Sequence, residues 1–132
     1  MSTLSIGEVA RRARLRPSAL RYYEKVGLVA PPPRECGQRR YAPSVLDALA
    51  LIAAAKRAGF TIAETRRLVA GFPADVPVAA RWRVLAQEKD RELAAVIGQA
   101  RRKRALLKNA LRCRCEDLEE CGRLIAVASR AR

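Results

Sequence analysis

Three cysteines, Cys113, Cys115 and Cys121, fall within nine residues near the end of a 132-residue chain that contains no histidine. Thiols crowded this closely in a reducing compartment read as metal ligands or redox groups rather than as disulfide partners. The missing imidazole removes the commonest general base and the commonest nitrogen ligand, which argues against Ser-His-Asp or Cys-His catalysis and against mixed Cys/His zinc sites. Glu116, Asp117, Glu119 and Glu120 make the same loop acidic and read as a solvated face. The fourth cysteine, Cys36, stands apart and carries no assigned role.

A second set of residues could bind rather than react. Formal charge is +14, and residues 1–58 already hold eleven Lys/Arg against four Asp/Glu, the balance expected of a nucleic-acid partner. Within it, Arg21-Tyr22-Tyr23-Glu24 precedes Gly27-Leu28. Pro17 suits a first helical position and Gly27 a left-handed helix stop, so a helix is expected from Pro17 to about Val26. As the second helix of a helix-turn-helix it would offer Arg16, Ser18 and Arg21 to phosphates and base edges of the major groove. Adjacent helical residues point roughly 100° apart, so one of Tyr22 and Tyr23 is expected to pack inward while the other reaches a phosphate. The run Pro31-Pro32-Pro33 cannot be helical, and Arg34 to Tyr41, turning at Cys36-Gly37, reads as a two-stranded wing. Arg34, Arg39 and Arg40 would clamp the phosphate backbone there, with Tyr41 packing beneath them or touching phosphate.

Several elements must position these groups. Ser5 and Glu8 have capping-box spacing ahead of a face made by Ile6, Val9, Ala10 and Ala13, with Leu15 closing the turn. Ser44 is expected to cap a helix over about 45–58, with Val45, Leu46, Leu49, Ile52, Ala53 and Lys56 along one face and Gly59 at its end. Thr61 and Glu64 open another helix, with Ile62, Thr65, Leu68 and Val69 inward, ending at Gly71. These elements make a DNA-binding domain of residues 1–71, followed by a linker over 72–77. From Val78 to Arg112, steps of four and three join Trp82, Ala86, Lys89, Leu93, Val96, Ala100, Lys103, Leu107 and Ala110, a heptad stripe. Such a helix, about 50 Å long, would expose its stripe unless it paired, most simply in a two-fold dimer. Lys89 and Lys103 interrupt the stripe and are expected to snorkel or to meet acids such as Glu88 and Glu92 of the second copy. Residues 113–132 form the cysteine loop, a turn or two of apolar helix around Leu124–Ala128, and a basic tail. No stretch approaches the 18 apolar residues of a membrane span and no secretory leader follows Met1, so a soluble, cytoplasmic protein is expected.

Taken in order, Arg21-Tyr22-Tyr23-Glu24 with Gly27-Leu28, Gly37-x-Arg39-x-Tyr41, Gly59-Phe60, the long helix and the terminal cysteine loop resemble the MerR family of transcriptional regulators along the whole chain. The resemblance implies a mainly α fold: a winged helix-turn-helix DNA-binding domain, a long antiparallel coiled-coil dimerisation helix and a short cysteine-containing effector loop. It also implies a homodimer on double-stranded promoter DNA, whose distortion brings the promoter elements into register for RNA polymerase, and no enzymatic activity. By position, Arg21, Tyr22, Arg39 and Tyr41 match family DNA contacts, whereas Gln38 stands where the family usually carries an aromatic residue.

The same resemblance frames the effector. Cys113 and Cys121, seven residues apart, are similar to the C-x7-C loop of copper-efflux regulators, in which two thiolates hold Cu(I), Ag(I) or Au(I). Divalent-sensing relatives add a cysteine from the start of the partner's long helix, and Val78-Ala79-Ala80 offers none. With Cys115 the loop provides three thiolates, enough for trigonal Hg(II), Pb(II) or As(III). The pattern C-x-C-x5-C also resembles the last part of the motif that holds a [2Fe–2S] cluster in the redox-sensing SoxR branch, with Ala110 where the first cysteine would stand, so such a cluster would need a fourth ligand of another kind.

Overall fold

The computed structural model describes residues 2–131. Among them the elements run α1 (Ile6–Ala13), α2 (Pro17–Lys25), β1 (Arg34–Glu35), β2 (Gln38–Arg39), α3 (Val45–Arg57), α4 (Ile62–Ala70), α5 (Val78–Leu111) and α6 (Leu118–Arg130). The chain divides into two compact units, Met1–Lys89 and Asp90–Arg132, with α5 continuing unbroken through the boundary.

In the first unit, local chemistry sets the helix starts. Glu8 N donates to Ser5 Oγ at 3.2 Å while Ser5 N donates to Glu8 Oε2 at 3.0 Å, and the same reciprocal box joins Thr61 and Glu64 at the start of α4. Each box satisfies two backbone donors that a helix start otherwise leaves open. Pro17 opens α2, and Gly27, at φ +83°, lets the chain reverse after it. Ser44 departs from expectation: its backbone is already helical and its side chain makes no cap bond. The start of α3 grows instead from a turn, with Val45 N and Leu46 N donating to the carbonyls of Ala42 and Pro43.

The wing is a short antiparallel pair, Arg34 opposite Arg39 and Glu35 opposite Gln38, joined through Cys36 and Gly37, both left-handed at φ +52° and +77°. That is the backbone hand that matches a tight hairpin to strand twist. The wing is tied to the start of the chain by two 2.8 Å backbone bonds between Leu4 and Tyr41.

Two apolar clusters hold this unit together. The first gathers Leu4, Val9, Leu20, Tyr23, Leu28, Tyr41, Leu49 and Ile52 under the helix-turn-helix and wing. The second, Ala55, Phe60, Leu68 and Leu85, is completed by α5, whose Leu85 is 1% exposed and whose Trp82 meets Phe60 edge-on at 5.8 Å. Ala53, Lys56 and Val69, expected inward, are exposed, and Ala55 takes the buried position on α3. Lys89 also differs from its sequence reading: it is buried, its Nζ lies 2.9 Å from Glu64 Oε1 and 5.5 Å from the Phe60 ring centre, and Glu88 pairs with Arg67 at 2.8 Å. Those two residues contact their own chain, where a second copy was expected.

The second unit comprises the remainder of α5, a loop and α6. Leu93, Val96 and Leu107 of the stripe are about half exposed, as are Ile97, Leu106, Leu124, Ile125 and Val127. The terminal helix is longer than expected, thirteen residues, because Asp117 accepts from Glu120 N at 2.8 Å and caps it.

Candidate nucleic-acid interface and metal centre

In the first unit, Arg16 at the N-cap of α2 and Ser18, Arg21 and Tyr22 on the helix are exposed to solvent. The tyrosine pair resolves by helix phase: Tyr23 joins the core, while Tyr22, 49% exposed, points outward. The wing arginines are held by acceptors of their own chain. Arg34 Nη1 donates to Gly37 O at 3.4 Å, Arg39 Nε to Glu24 Oε2 at 3.1 Å, and Arg40 to Thr3 Oγ1 and Thr3 O at 2.9 and 3.0 Å. A guanidinium has five N–H groups, so each retains donors for a phosphate while its orientation is set in advance.

Glu24, which sequence reasoning left without a role, joins recognition helix to wing. Besides the Arg39 guanidinium it accepts a hydrogen bond from the Tyr41 hydroxyl. Of the two placements open for Tyr41, packing beneath the wing is the one observed: the ring is 2% exposed. Burial, then the bond to Glu24 and its charge, push the phenol up to about 12 against the opposing charges of Arg39 and Arg21. The signal available in sequence was Glu24's position, one helical turn beyond Arg21 on an otherwise basic surface.

The cysteine centre lies wholly in the second unit. Cys113 follows the end of α5, its N–H donating to Ala110 O at 3.0 Å, and Cys121 sits in the first turn of α6, its N–H donating to Asp117 O at 3.3 Å. Cys115 bends back between them, its N–H 3.4 Å from Cys113 Sγ. The three sulfurs lie within 4.8 Å of one another. Three points so spaced share a centre within about 2.8 Å of each, a slight closure away from thiolate–metal bonds of roughly 2.3 Å as in zinc sites. The N–H and thiol of Cys115, and then the thiol of Cys121, stabilise the Cys113 thiolate and hold its pKa below the usual thiol range. Cys115 is pushed up to about 12 by its bond to Cys113, by desolvation and by the negative charge of the Cys113 thiolate. One thiolate and a neighbour that resists ionisation form a site suited to a thiophilic cation, which replaces the shared protons with its own charge. Beside the sulfurs a groove of about 770 Å³ runs between the end of α5 and α6, lined by Leu106, Leu124 and Ile125 and by Arg112 and Arg114. Cys36 belongs to the other unit, exposed at the wing turn.

No helix among the described residues is long and apolar enough to cross a membrane. Residues 4–71 match the family model described as MerR HTH family regulatory protein, and residues 46–110 match that of MerR, DNA binding. The HTH-type transcriptional regulator CueR of Salmonella typhi is 33% identical over 120 residues, 89% of this chain and 87% of that protein. The HTH-type transcriptional activator SoxR homolog of Chromobacterium violaceum is 30% identical over 121 residues, 91% of this chain and 82% of that one. The crystal structure of the transcription regulator PbrR691 from Ralstonia metallidurans CH34 in complex with lead(II) matches with a TM-score of 0.64 at 25% identity, covering 94% of this chain and 98% of that chain.

Proposed function

From the premise that the chain belongs to the MerR family of helix-turn-helix transcriptional regulators, and so is a DNA-binding regulator rather than an enzyme, we propose that it senses a thiophilic metal ion at Cys113, Cys115 and Cys121. The observation that carries this reading is the triangle of sulfurs, all three within 4.8 Å on one short loop. Soft thiolates select soft ions, and three of them favour Hg(II), Pb(II) or As(III). The lead(II) complex of PbrR691, a regulator similar over nearly its whole length, supports that choice. A linear Cu(I), Ag(I) or Au(I) site on Cys113 and Cys121 alone leaves Cys115 without a use. A [2Fe–2S] cluster, a reading encouraged by the similarity to a SoxR homolog, wants four protein ligands and finds three cysteines here, with Ala110 at the place of the fourth.

In this proposal the regulator works as a homodimer. The exposed Leu93, Val96 and Leu107 of α5 and the apolar side chains of α6 give a second copy an apolar surface to cover. Arg16, Ser18, Arg21, Tyr22 and the wing arginines bind promoter DNA, and the metal-loaded conformer favours distorted over relaxed DNA, realigning the promoter elements for RNA polymerase. The coupling equals the difference in affinity of the ion for the two conformers.

The test is an anaerobic preparation of the dimer, its iron and sulfide content, and titration of the apo protein with Cu(I), Ag(I), Hg(II), Pb(II) and As(III) while thiolate charge-transfer bands are followed. Stoichiometric binding that Cys115→Ser abolishes supports the three-thiolate site. Binding that survives Cys115→Ser moves the reading to a two-thiolate ion, and stoichiometric iron with sulfide moves it to a redox cluster.

A further inference from the structure

The first turn of α5 is fastened to the end of α4 and to the segment after it by the side chain of Arg81. The last turn of α4 ends at Ala70, and helix ends leave their final carbonyls without helical partners. Gly71 N takes Arg67 O. The next two carbonyls, Leu68 O and Val69 O, accept from Arg81 Nη1 at 3.2 and 3.3 Å. The same guanidinium donates from Nη2 to Pro73 O at 3.3 Å and from Nε to Val76 O at 3.0 Å, and its carbon lies 5.9 Å from the centre of the Phe72 ring. A residue of the first turn of α5 thus holds the end of α4 and both ends of the proline-bounded segment between them. No other side chain can do this: the planar fork of arginine sends N–H groups in several fixed directions, whereas a lysine ammonium is a point donor.

Three further contacts continue the attachment along the same face of α5. Trp82 lies edge-on to Phe60, Leu85 is buried against Leu68 and Phe60, and Lys89 reaches Glu64, while a fourth contact pairs Glu88 with Arg67 at 2.8 Å. The first three turns of α5 are therefore part of the recognition unit, while the same helix runs on without interruption to Leu111, two residues before Cys113.

We propose that Arg81 is a positioning residue that makes α4, residues 71–77 and the start of α5 move as one body, so that a displacement of α5 imposed at the cysteine loop is delivered to the DNA-reading helices. A flexible linker here would absorb the displacement, and the effector loop would change state without altering DNA. The proposal rests on the sensing function given above, and it gives the segment between α4 and α5 a role: a rigid strut in place of a hinge.

The test uses full-length protein, wild type and Arg81→Lys, with Arg81→Ala as a second variant. The probes are Pb(II) and a doubly end-labelled DNA duplex selected from a random-sequence pool by binding to the wild type. Hydrogen exchange is read at the amides of Gly71, Val76, Ala80 and Arg81 in the metal-free protein, and the change in end-to-end energy transfer on adding Pb(II) reads DNA distortion. The expected result for Arg81→Lys is exchange faster by about tenfold or more, the effect of losing two ordinary hydrogen bonds. Pb(II) affinity and metal-free DNA affinity stay within about twofold, since Arg81 belongs to neither site, and the Pb(II)-induced DNA response is lost. An undiminished DNA response in Arg81→Lys, or unchanged exchange, overturns the proposal. So does a parallel fall of melting temperature, DNA affinity and response, which is the pattern of a residue needed only for folding. If the wild type binds Pb(II) and leaves DNA unchanged, the sensing function is what fails, and the exchange data alone decide whether Arg81 holds the strut.

Discussion

Glu24 offers a quantitative check on whether recognition helix and wing form one rigid reader. Its side chain is 11% exposed and accepts both the Arg39 guanidinium and the Tyr41 hydroxyl. Glu24→Ala strands a phenol hydroxyl on a ring that is 2% exposed, a cost of about 1–3 kcal/mol. Arg39, at 24% exposed, can turn to water, so its share of the loss is small, roughly 0–1 kcal/mol. Tyr41→Phe removes the donor and leaves Glu24 paired with Arg39, at the roughly 1.5–3 kcal/mol of a hydrogen bond to a charged acceptor. If one bond underlies both losses, the double variant should cost less than the sum of the singles by about 1.5–3 kcal/mol. The acidity of Tyr41 is a separate reporter, since burial is the larger cause of its rise and the bond to Glu24 the second. A rise from 10 to about 12 is roughly 2–3 kcal/mol of preference for the neutral phenol, burial included. Because the folded value is raised, that stabilisation is complete below pH 10 and is lost as pH climbs from 10 through 12. Urea unfolding of the wild type, both singles and the double, at pH 7 and across pH 9–12, measures both effects. A coupling under about 0.5 kcal/mol, or a Tyr41→Phe variant that loses stability above pH 10 as steeply as the wild type, refutes the argument.

Three other outcomes are expected. Tyr23→Ala should destabilise the protein by about 3–5 kcal/mol as a buried aromatic truncation, whereas Tyr22→Ala should change stability by under about 0.5 kcal/mol and weaken DNA binding; urea melts and fluorescence anisotropy separate the two. Arg21→Ala, if it removes one phosphate contact, should lower the slope of log affinity against log salt by about 1 for every selected sequence; a base-specific loss with an unchanged slope assigns Arg21 to base reading instead. Metal binding should release protons, chiefly from Cys115, so Pb(II) affinity should rise with pH below the thiol range, and calorimetry in buffers of different ionisation heat should show the release shrink in Cys115→Ser.

Local signals were the ones legible in sequence. Ser5 with Glu8 and Thr61 with Glu64 announced their helix starts because each pair acts across three residues, and Pro17 and Gly27 announced a helix start and a helix stop because each acts through its own backbone dihedral. Ser44 misled because the turn at Ala42–Pro43 had already supplied the acceptors that start α3, leaving its hydroxyl nothing to cap. The Asp117 to Glu120 spacing carried a helix start that went unread behind the cysteines. At the beginning of α5 the heptad stripe through Trp82, Ala86 and Lys89 had an equally regular rival through Trp82, Leu85 and Lys89, and the fold uses the rival. Periodicity identifies an apolar face but not its occupant, so a face expected against a second copy is partly filled by Phe60, Glu64 and Leu68 of the same chain. The sulfur triangle was legible as a cluster, since its members are close in sequence. The link from Glu24 to Tyr41 was not, because it spans seventeen positions and two elements.

The uninterrupted course of α5 out of the recognition unit bears on how such a protein can evolve. Its reading and sensing ends can be recombined across the exposed middle of one helix without disturbing the apolar clusters of the first unit or the sulfur triangle of the second. The phase of the helix restricts the change in length: inserting one residue turns everything beyond it by about 100°, whereas seven residues make nearly two full turns. Lineages should therefore lengthen or shorten this helix in whole heptads, and a chimera joined out of phase should keep both binding activities while losing the conversation between them.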